Sequence, residues 1–200
     1  MNHLKETIWI QTYNGLKFYP FAPKAKDIYL DDIAWQLSMN TRYAGACRKY
    51  YSVAEHAVLI TRYIIKYYED RLSMKDEFIN CCLMALHHDD AEFLLRDVPT
   101  PIKSEDTKEI EKTILNSIWN RFEIKFDSYS YDLVKFIDKH IRIDEKKQVL
   151  KHELEWESLK GLFGLGIKVK FWNQRKAYRE YLKLHMKLIN MRNKEYLNNV

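Results

Sequence analysis

Four side chains that could bind a metal lie among apolar residues in three separate segments of the sequence. They are two histidines and two aspartates: His56, His88, Asp89 and Asp138. Helical spacing places His56, Asp89 and Asp138 on faces with core-type residues, where an unpaired charge costs on the order of several kcal/mol. We therefore expect these groups to be paired with each other or with a cation. Two imidazoles and two carboxylates suit Mn, Fe, Co, Zn or Mg, so the set predicts a site for a divalent metal ion.

The prediction depends on the combination, because a single histidine on an apolar face is more often a hydrogen-bonded core residue than a ligand. His56 also falls in the first turn of a predicted helix, where the helix dipole disfavours imidazolium and should keep the ring neutral, as a ligand must be. We interpret Asp90, beside Asp89, as part of a solvated charged face, and His87 as structural.

Glu92 follows His88 and Asp89 at helical spacing and is expected on the same face. A carboxylate close to a metal-bound water can orient that water or take its proton, so we interpret Glu92 as a catalytic acid/base. The alternative is a helix-stabilising ion pair with Arg96 one turn later.

The elements that position these residues are predicted to be helices. Asn14-Gly15, within residues 8–30, is a hairpin signal that predicts a small N-terminal β-ribbon. The helices that follow are expected to begin after Asp31-Asp32, the capping boxes Ser52–Glu55 and Ser73–Asp76, and Ser104. The helix after Ser73 carries Asp89 and Glu92 and must end before the two prolines of residues 97–101. Two more are expected over residues 131–159 and from Asn173.

Composition agrees with an all-α fold. The chain has 200 residues, 46% of them hydrophobic, with only five Gly and four Pro. We therefore predict a single domain over residues 1–200, with a hairpin at 8–30 and a helical body over 31–193. No internal repeat or low-complexity segment is visible.

Charge and cysteine content restrict the class of protein. Three cysteines without a CxxC pair do not form a disulfide framework, and no segment resembles a signal peptide or a membrane span. We expect a cytoplasmic protein with no membrane partner. The net charge of +5 would suit a nucleic-acid surface, but acidic residues interleave with the lysines, so we rank nucleic-acid binding low. A modest positive field also suits small anionic substrates.

Taken together, these motifs resemble the HD superfamily of metal-dependent phosphohydrolases. The resemblance is to its 5′-deoxynucleotidase-like group, which includes phage-type deoxynucleoside triphosphate triphosphohydrolases, and it spans about residues 8–190. The run IYLDDIAWQLSMNTRYAGACRKYYSVAEHAVLI is similar to the segment that leads into the first histidine of that group. ALHHDDAEFLLRDVPTPIK is similar to its HD–x–x–E–(x)4–D–x–P–x–P–x–K signature, and VKFIDKHIRIDE to its V-K-x-x-D motif followed by A-T-E.

The resemblance implies a helical HD bundle and roles for particular residues. His56, His88, Asp89 and Asp138 match the metal ligands. Asp144 competes for the last position, and Asp138 is chosen because it follows Val134-Lys135 and precedes Glu145 at the family spacing. The remaining matches are Glu92 as acid/base, Arg42 beside the phosphate, Tyr43 beside the sugar, Asp97 near the 3′-hydroxyl, and Lys103 and Lys135 facing a phosphate tail. Arg42 could instead pair with Asp31 or Asp32, and the two lysines could be ordinary surface residues.

The implied activity is hydrolysis of the 5′ phosphoester of a deoxynucleotide, in a homo-oligomer. Either a monophosphate is cleaved to nucleoside and phosphate, or the whole triphosphate is removed. The basic residues Lys103, Lys135 and Arg96 slightly favour the second reaction, because they would help to hold the longer phosphate tail. The chain departs from the family at Arg96, Asp144 and Gly45-Ala46, which bears on substrate identity more than on the metal site. Alternatives are a non-catalytic nucleotide-binding or sensor protein and a basic nucleic-acid-binding helical module.

Overall fold

The computed structural model describes residues 7–69 and 75–198, and this part of the chain is predominantly helical with a small N-terminal hairpin. The two strands, β1 (Ile10–Gln11) and β2 (Lys17–Phe18), are antiparallel. Gly15, in the turn between them, has a φ of 79°, a conformation that glycine adopts without steric cost. The all-α prediction and the Asn14-Gly15 hairpin are confirmed.

Seven α-helices fall within the described residues. Their bounds are α1 (Leu30–Met39), α2 (Val53–Tyr68), α3 (Lys75–Leu86), α4 (Glu92–Leu95), α5 (Glu105–Arg121), α6 (Ser128–Val149) and α7 (Gln174–Asn198). Helix α2 packs against α1, α3, α6 and α7, and α7 also covers α1 and α3. None of these helices is long and apolar enough to cross a lipid bilayer.

The predicted N-caps of α2 and α5 are confirmed. The Ser52 hydroxyl accepts a hydrogen bond from the Glu55 backbone N–H at 3.1 Å, and the Ser104 hydroxyl accepts one from Thr107 at 3.2 Å. The Ser73–Asp76 box cannot be judged because Ser73 lies outside the described residues.

The predicted cap at Asp31-Asp32 was wrong. Helix α1 begins at Leu30, three residues earlier than predicted, with Tyr29 as its N-cap, and both carboxylates bind other parts of the fold. Asp32 accepts a hydrogen bond from the Asn14 backbone N–H at 2.7 Å, and Asp31 accepts one from the Tyr178 hydroxyl. These contacts hold the hairpin turn and α7 against α1.

The single helix predicted across His88, Asp89 and Glu92 is interrupted. Helix α3 ends at Leu86, residues 87–91 form turns, and α4 begins at Glu92. Side-chain bonds replace part of the helical pattern here: His88 Nδ1 lies 2.8 Å from the Ala85 carbonyl oxygen. The positions of His88, Asp89 and Glu92 are therefore set by this turn and not by helical periodicity.

Helix α6 ends at Val149, well before the predicted end near Leu159. The polypeptide then doubles back along α6, because polar side chains of that helix bind the returning backbone. Asp144 Oδ2 accepts hydrogen bonds from the backbone N–H groups of Leu165 at 2.8 Å and Ile167 at 3.1 Å. The approach is so close that a Cβ atom at Gly164 would lie 2.4 Å from Asp144 Oδ1.

The interpretation of Asp90 as a solvated residue was wrong. Asp90 is 0% exposed and accepts a hydrogen bond from the Tyr181 hydroxyl at 2.5 Å. Its other oxygen lies 2.5 Å from His87 Nδ1, and His87 Nε2 lies 2.8 Å from His185 Nδ1. This buried network of Asp90, His87, Tyr181 and His185 fastens the turn between α3 and α4 to helix α7.

The network should make the protein less stable in mild acid. Burial first, and then the neighbouring His87 and Arg192, lower the pKa of His185 from 6.5 to about 2. The unfolded chain takes up a proton at this residue below about pH 6.5, and the folded chain does not. The free energy of unfolding should thus fall, as pH drops below that point, by up to about 1.4 kcal/mol per pH unit from this residue.

Denaturant unfolding of the wild type and of His185→Gln, at several pH values between about 7 and 5, measures this contribution. Glutamine has both an N–H donor and an oxygen acceptor, so it can form a hydrogen bond with His87 Nε2 in either tautomer, but it does not titrate. We expect the wild type to lose more stability than the variant over this range. Equal slopes for the two proteins would contradict the prediction.

Candidate metal centre

The four predicted ligands come together at one place in the fold. One ligand atom from each of His56, His88, Asp89 and Asp138 lies within 4.8 Å of the others. His56 Nε2 is 3.2 Å from Asp138 Oδ1, and His88 Nε2 is 3.1 Å from Asp89 Oδ2. Helix α2 supplies His56, the turn after α3 supplies His88 and Asp89, and α6 supplies Asp138. The cluster could therefore hold a metal ion.

The orientation of both imidazole rings fits metal binding. His56 Nδ1 lies 2.6 Å from Glu145 Oε1, and His88 Nδ1 lies 2.8 Å from the Ala85 carbonyl oxygen. Both Nε2 atoms are buried. Carboxylate oxygens of the cluster lie 3.1 to 3.2 Å away, but neither nitrogen makes a hydrogen bond of acceptable geometry among the described residues. An orphaned buried nitrogen is costly, and a histidine held by an acceptor at one nitrogen presents the other to a metal. Together with two carboxylates, this donor set fits a divalent cation.

The helix dipole was expected to keep the His56 ring neutral, but the neighbouring carboxylates act in the opposite direction. Burial and Arg42 lower the pKa of His56, but the attraction of Glu145 and Asp138 outweighs them and raises it to about 9. A ligating imidazole must be unprotonated, so metal binding here would displace a proton.

The choice of Asp138 over Asp144 agrees with the geometry. Asp138 belongs to the four-residue cluster, and the cluster does not include Asp144. The Asp144 carboxylate is instead occupied by the backbone of the segment that returns along α6.

Arg42 lies directly beside the cluster. It is 6% exposed, with Nη1 3.5 Å from Asp89 Oδ2 and Nη2 3.3 Å from Glu145 Oε2. Arg42 thus pairs with Asp89 and Glu145 rather than with Asp31 or Asp32. The Nε atom of Arg42 is buried without a hydrogen-bond partner in the described part of the chain. A buried guanidinium with an unused N–H donor is suited to bind an anion at the centre.

Glu92 also lies in the buried part of the site. Its Oε2 atom has no hydrogen-bond partner among residues 7–69 and 75–198. Burial first, and then repulsion by Asp89 and Asp97, raise the pKa of Glu92 well above its ordinary value. Arg96, the alternative ion-pair partner, is an exposed residue with a φ of 68° at the end of α4. Glu92 is thus a buried carboxyl group whose neutral form is favoured by burial and by the nearby carboxylates of Asp89 and Asp97.

Tyr43 and Asp97 are brought together by a backbone contact. The Tyr43 N–H donates to Asp97 Oδ2 at 2.8 Å, and the Tyr43 hydroxyl donates to Glu145. Tyr43 and Ala44 have φ values of 58° and 49°, a conformation that is uncommon for residues other than glycine. Such strained backbone is found where the surrounding structure holds a loop in one particular shape.

The two lysines are placed differently. Lys103 Nζ forms an ion pair with Glu111 at 2.7 Å. Burial lowers the pKa of Lys103, but Glu111, with smaller contributions from Glu92 and Asp89, raises it above its ordinary value. Lys135 is exposed, and its Nζ lies 5.7 Å from the centre of the Tyr131 ring. Lys103 therefore lies at the edge of the site, and the contacts of Lys135 are with its own helix.

Sequence reasoning did not identify Glu145 as part of the site. Glu145 is 0% exposed and is bonded to four side chains: Arg42, Tyr43, Tyr51 and His56. Burial alone would raise the pKa of this carboxyl, but Arg42 and His56 lower it well below its ordinary range. Glu145 lies on the same inner face of α6 as Asp138, and this shared position could have indicated that it belongs to the site.

Comparison with known proteins gives one partial match and no function. The chain is 35% identical over 108 residues to "Uncharacterized protein YfdR" of Escherichia coli (strain K12). The matched region is 53% of this chain and 53% of that protein, so it spans about half of each. No protein-family profile matches the sequence.

Proposed function

We propose that this protein is a metal-dependent phosphohydrolase of the HD type that cleaves the 5′ phosphoester of deoxynucleotides. The proposal rests on the arrangement of side chains at the candidate metal centre. Two imidazole nitrogens and two carboxylates converge within 4.8 Å of one another, and a buried arginine lies beside them. Within the part of the chain that the structure describes, the two nitrogens and one N–H donor of the arginine make no hydrogen bond. The sequence resemblance supports the same class of enzyme.

In this proposal His56, His88, Asp89 and Asp138 hold the metal. A bound divalent ion supplies a Lewis acid and lowers the pKa of a coordinated water. Arg42 binds the phosphate oxygens and offsets the charge that develops during transfer. Glu92, whose neutral form is favoured by burial and by the nearby Asp89 and Asp97, would donate its proton to the departing 5′ oxygen and recover one from water. Tyr43 and Asp97, which a backbone hydrogen bond holds together, would bind the sugar.

The preferred number of phosphates is decided by the products. The purified protein should be assayed with deoxynucleoside monophosphates and triphosphates in the presence of Mg, Mn, Co, Zn or Fe(II). A monophosphatase releases inorganic phosphate, and a triphosphohydrolase releases inorganic triphosphate. We expect turnover with at least one metal, and its loss in His88→Ala.

Two outcomes would contradict the proposal. If the protein binds metal and nucleotide but turns over nothing in the panel, a nucleotide sensor is the better interpretation. Salt-sensitive nucleic-acid binding that survives His88→Ala and Asp89→Ala, without hydrolysis, would favour a basic binding module.

A further inference from the structure

The two oxygens of the Glu145 carboxylate serve different groups. Oε1 lies 2.6 Å from His56 Nδ1 and accepts a hydrogen bond from the Tyr51 hydroxyl at 2.7 Å. Oε2 accepts from Arg42 Nη2 at 3.3 Å and from the Tyr43 hydroxyl. One buried carboxylate therefore holds a candidate metal ligand with one oxygen and the candidate anion-binding arginine with the other.

Each contact restricts what its partner can do. With Nδ1 of His56 held by Oε1, the ring can rotate little, and its buried Nε2 faces Asp89 Oδ2 at 3.6 Å and Asp138 Oδ1 at 3.2 Å. With Nη2 of Arg42 held by Oε2, its Nη1 lies 3.5 Å from Asp89, and its Nε has no partner in the described ranges 7–69 and 75–198. A displacement of Glu145 would thus move a metal ligand and a phosphate-binding group together.

We infer that Glu145 is a positioning residue that couples the two parts of this site, orienting His56 towards a divalent cation and Arg42 towards a phosphate group. The part that concerns phosphate rests on the proposed function. Outer carboxylates that orient a ligating histidine typically change metal affinity by about 10- to 100-fold when they are replaced.

Glutamine is the informative replacement at this position. It has nearly the same shape, but it offers one acceptor oxygen and one NH2 donor. His56 Nδ1 and Arg42 Nη2 are both held as donors, so in either amide orientation one of them faces another donor. The matched control is Asp144→Asn, the same acid-to-amide change at the preceding residue, whose carboxylate accepts hydrogen bonds from the backbone N–H groups of Leu165 and Ile167.

The experiment measures equilibrium binding of cobalt(II), by its visible absorption, and of inorganic phosphate to the cobalt-saturated protein. For Glu145→Gln we expect the Kd for cobalt to rise about 10- to 100-fold. We also expect an altered absorption spectrum at saturation, and a phosphate Kd raised by about tenfold or more, because a charge-assisted contact to Arg42 is lost. Asp144→Asn should leave both Kd values and the spectrum close to those of the wild type.

Wild-type binding of cobalt and phosphate by Glu145→Gln would overturn the inference, and so would equal losses in Asp144→Asn. If circular dichroism shows that Glu145→Gln does not fold, Glu145→Asp replaces it. That variant keeps the charge but is too short to reach both partners, and it should weaken at least one of the two ligands. No readout depends on turnover, so a protein without hydrolytic activity can still confirm the coupling, and an active one can refute it.

Discussion

Asp138→Ala is expected to remove metal binding, and Asp144→Ala is expected to retain it. Asp138 contributes one of the four clustered ligand atoms, so its loss should weaken metal affinity by more than the roughly 10- to 100-fold typical of outer residues. Asp144 accepts two backbone hydrogen bonds from the segment after α6, and its removal leaves those N–H groups without their partner. That change should cost about 1–3 kcal/mol of stability instead.

Two measurements separate these effects. Metal content after dialysis, or cobalt titration, reports the ligand set, and denaturant unfolding of the metal-free proteins reports stability. The pair is a stringent test because both residues are aspartates on the same helix. If the Asp144 variant alone lost its metal, the assignment of the fourth ligand would have to be reversed.

Glu92→Gln is expected to lower kcat by about 10²- to 10⁴-fold, the range associated with a general acid or base. The amide keeps the shape of the side chain but cannot exchange a proton with water or with the departing oxygen. Glu92 is not one of the four clustered residues, so metal binding should persist. The effect should appear in kcat more than in the affinity for substrate.

Steady-state kinetics of Glu92→Gln should be paired with cobalt titration of the same protein sample. A large fall in kcat with unchanged cobalt affinity supports a role in proton transfer. Retention of wild-type kcat would remove Glu92 from the mechanism. A parallel loss of cobalt would show that Glu92 acts on the metal centre instead.

The ligand set was predictable from the sequence because the cost of burying charge is a strong local signal. His56 and Asp138 fell on otherwise apolar helical stripes, and such groups need a partner wherever the helices pack. The hairpin and the starts of α2 and α5 were predictable for a similar reason. Asn14-Gly15, Ser52 and Ser104 act on backbone only a few residues away.

The residues that only the tertiary structure could place are those whose partners are distant in the chain. The sequence indicates a solvated Asp90, but the distant Tyr181 binds it. It indicates no role for Glu145, which contacts His56 and Arg42 on either side. The break between α3 and α4 is likewise outside the reach of helical periodicity. The residue types alone indicate which side chains must be buried with a partner, because the free-energy cost of burying a charge belongs to each side chain. Packing of distant helices decided which partner each of them received, because a hydrogen bond depends on distances that no single segment specifies.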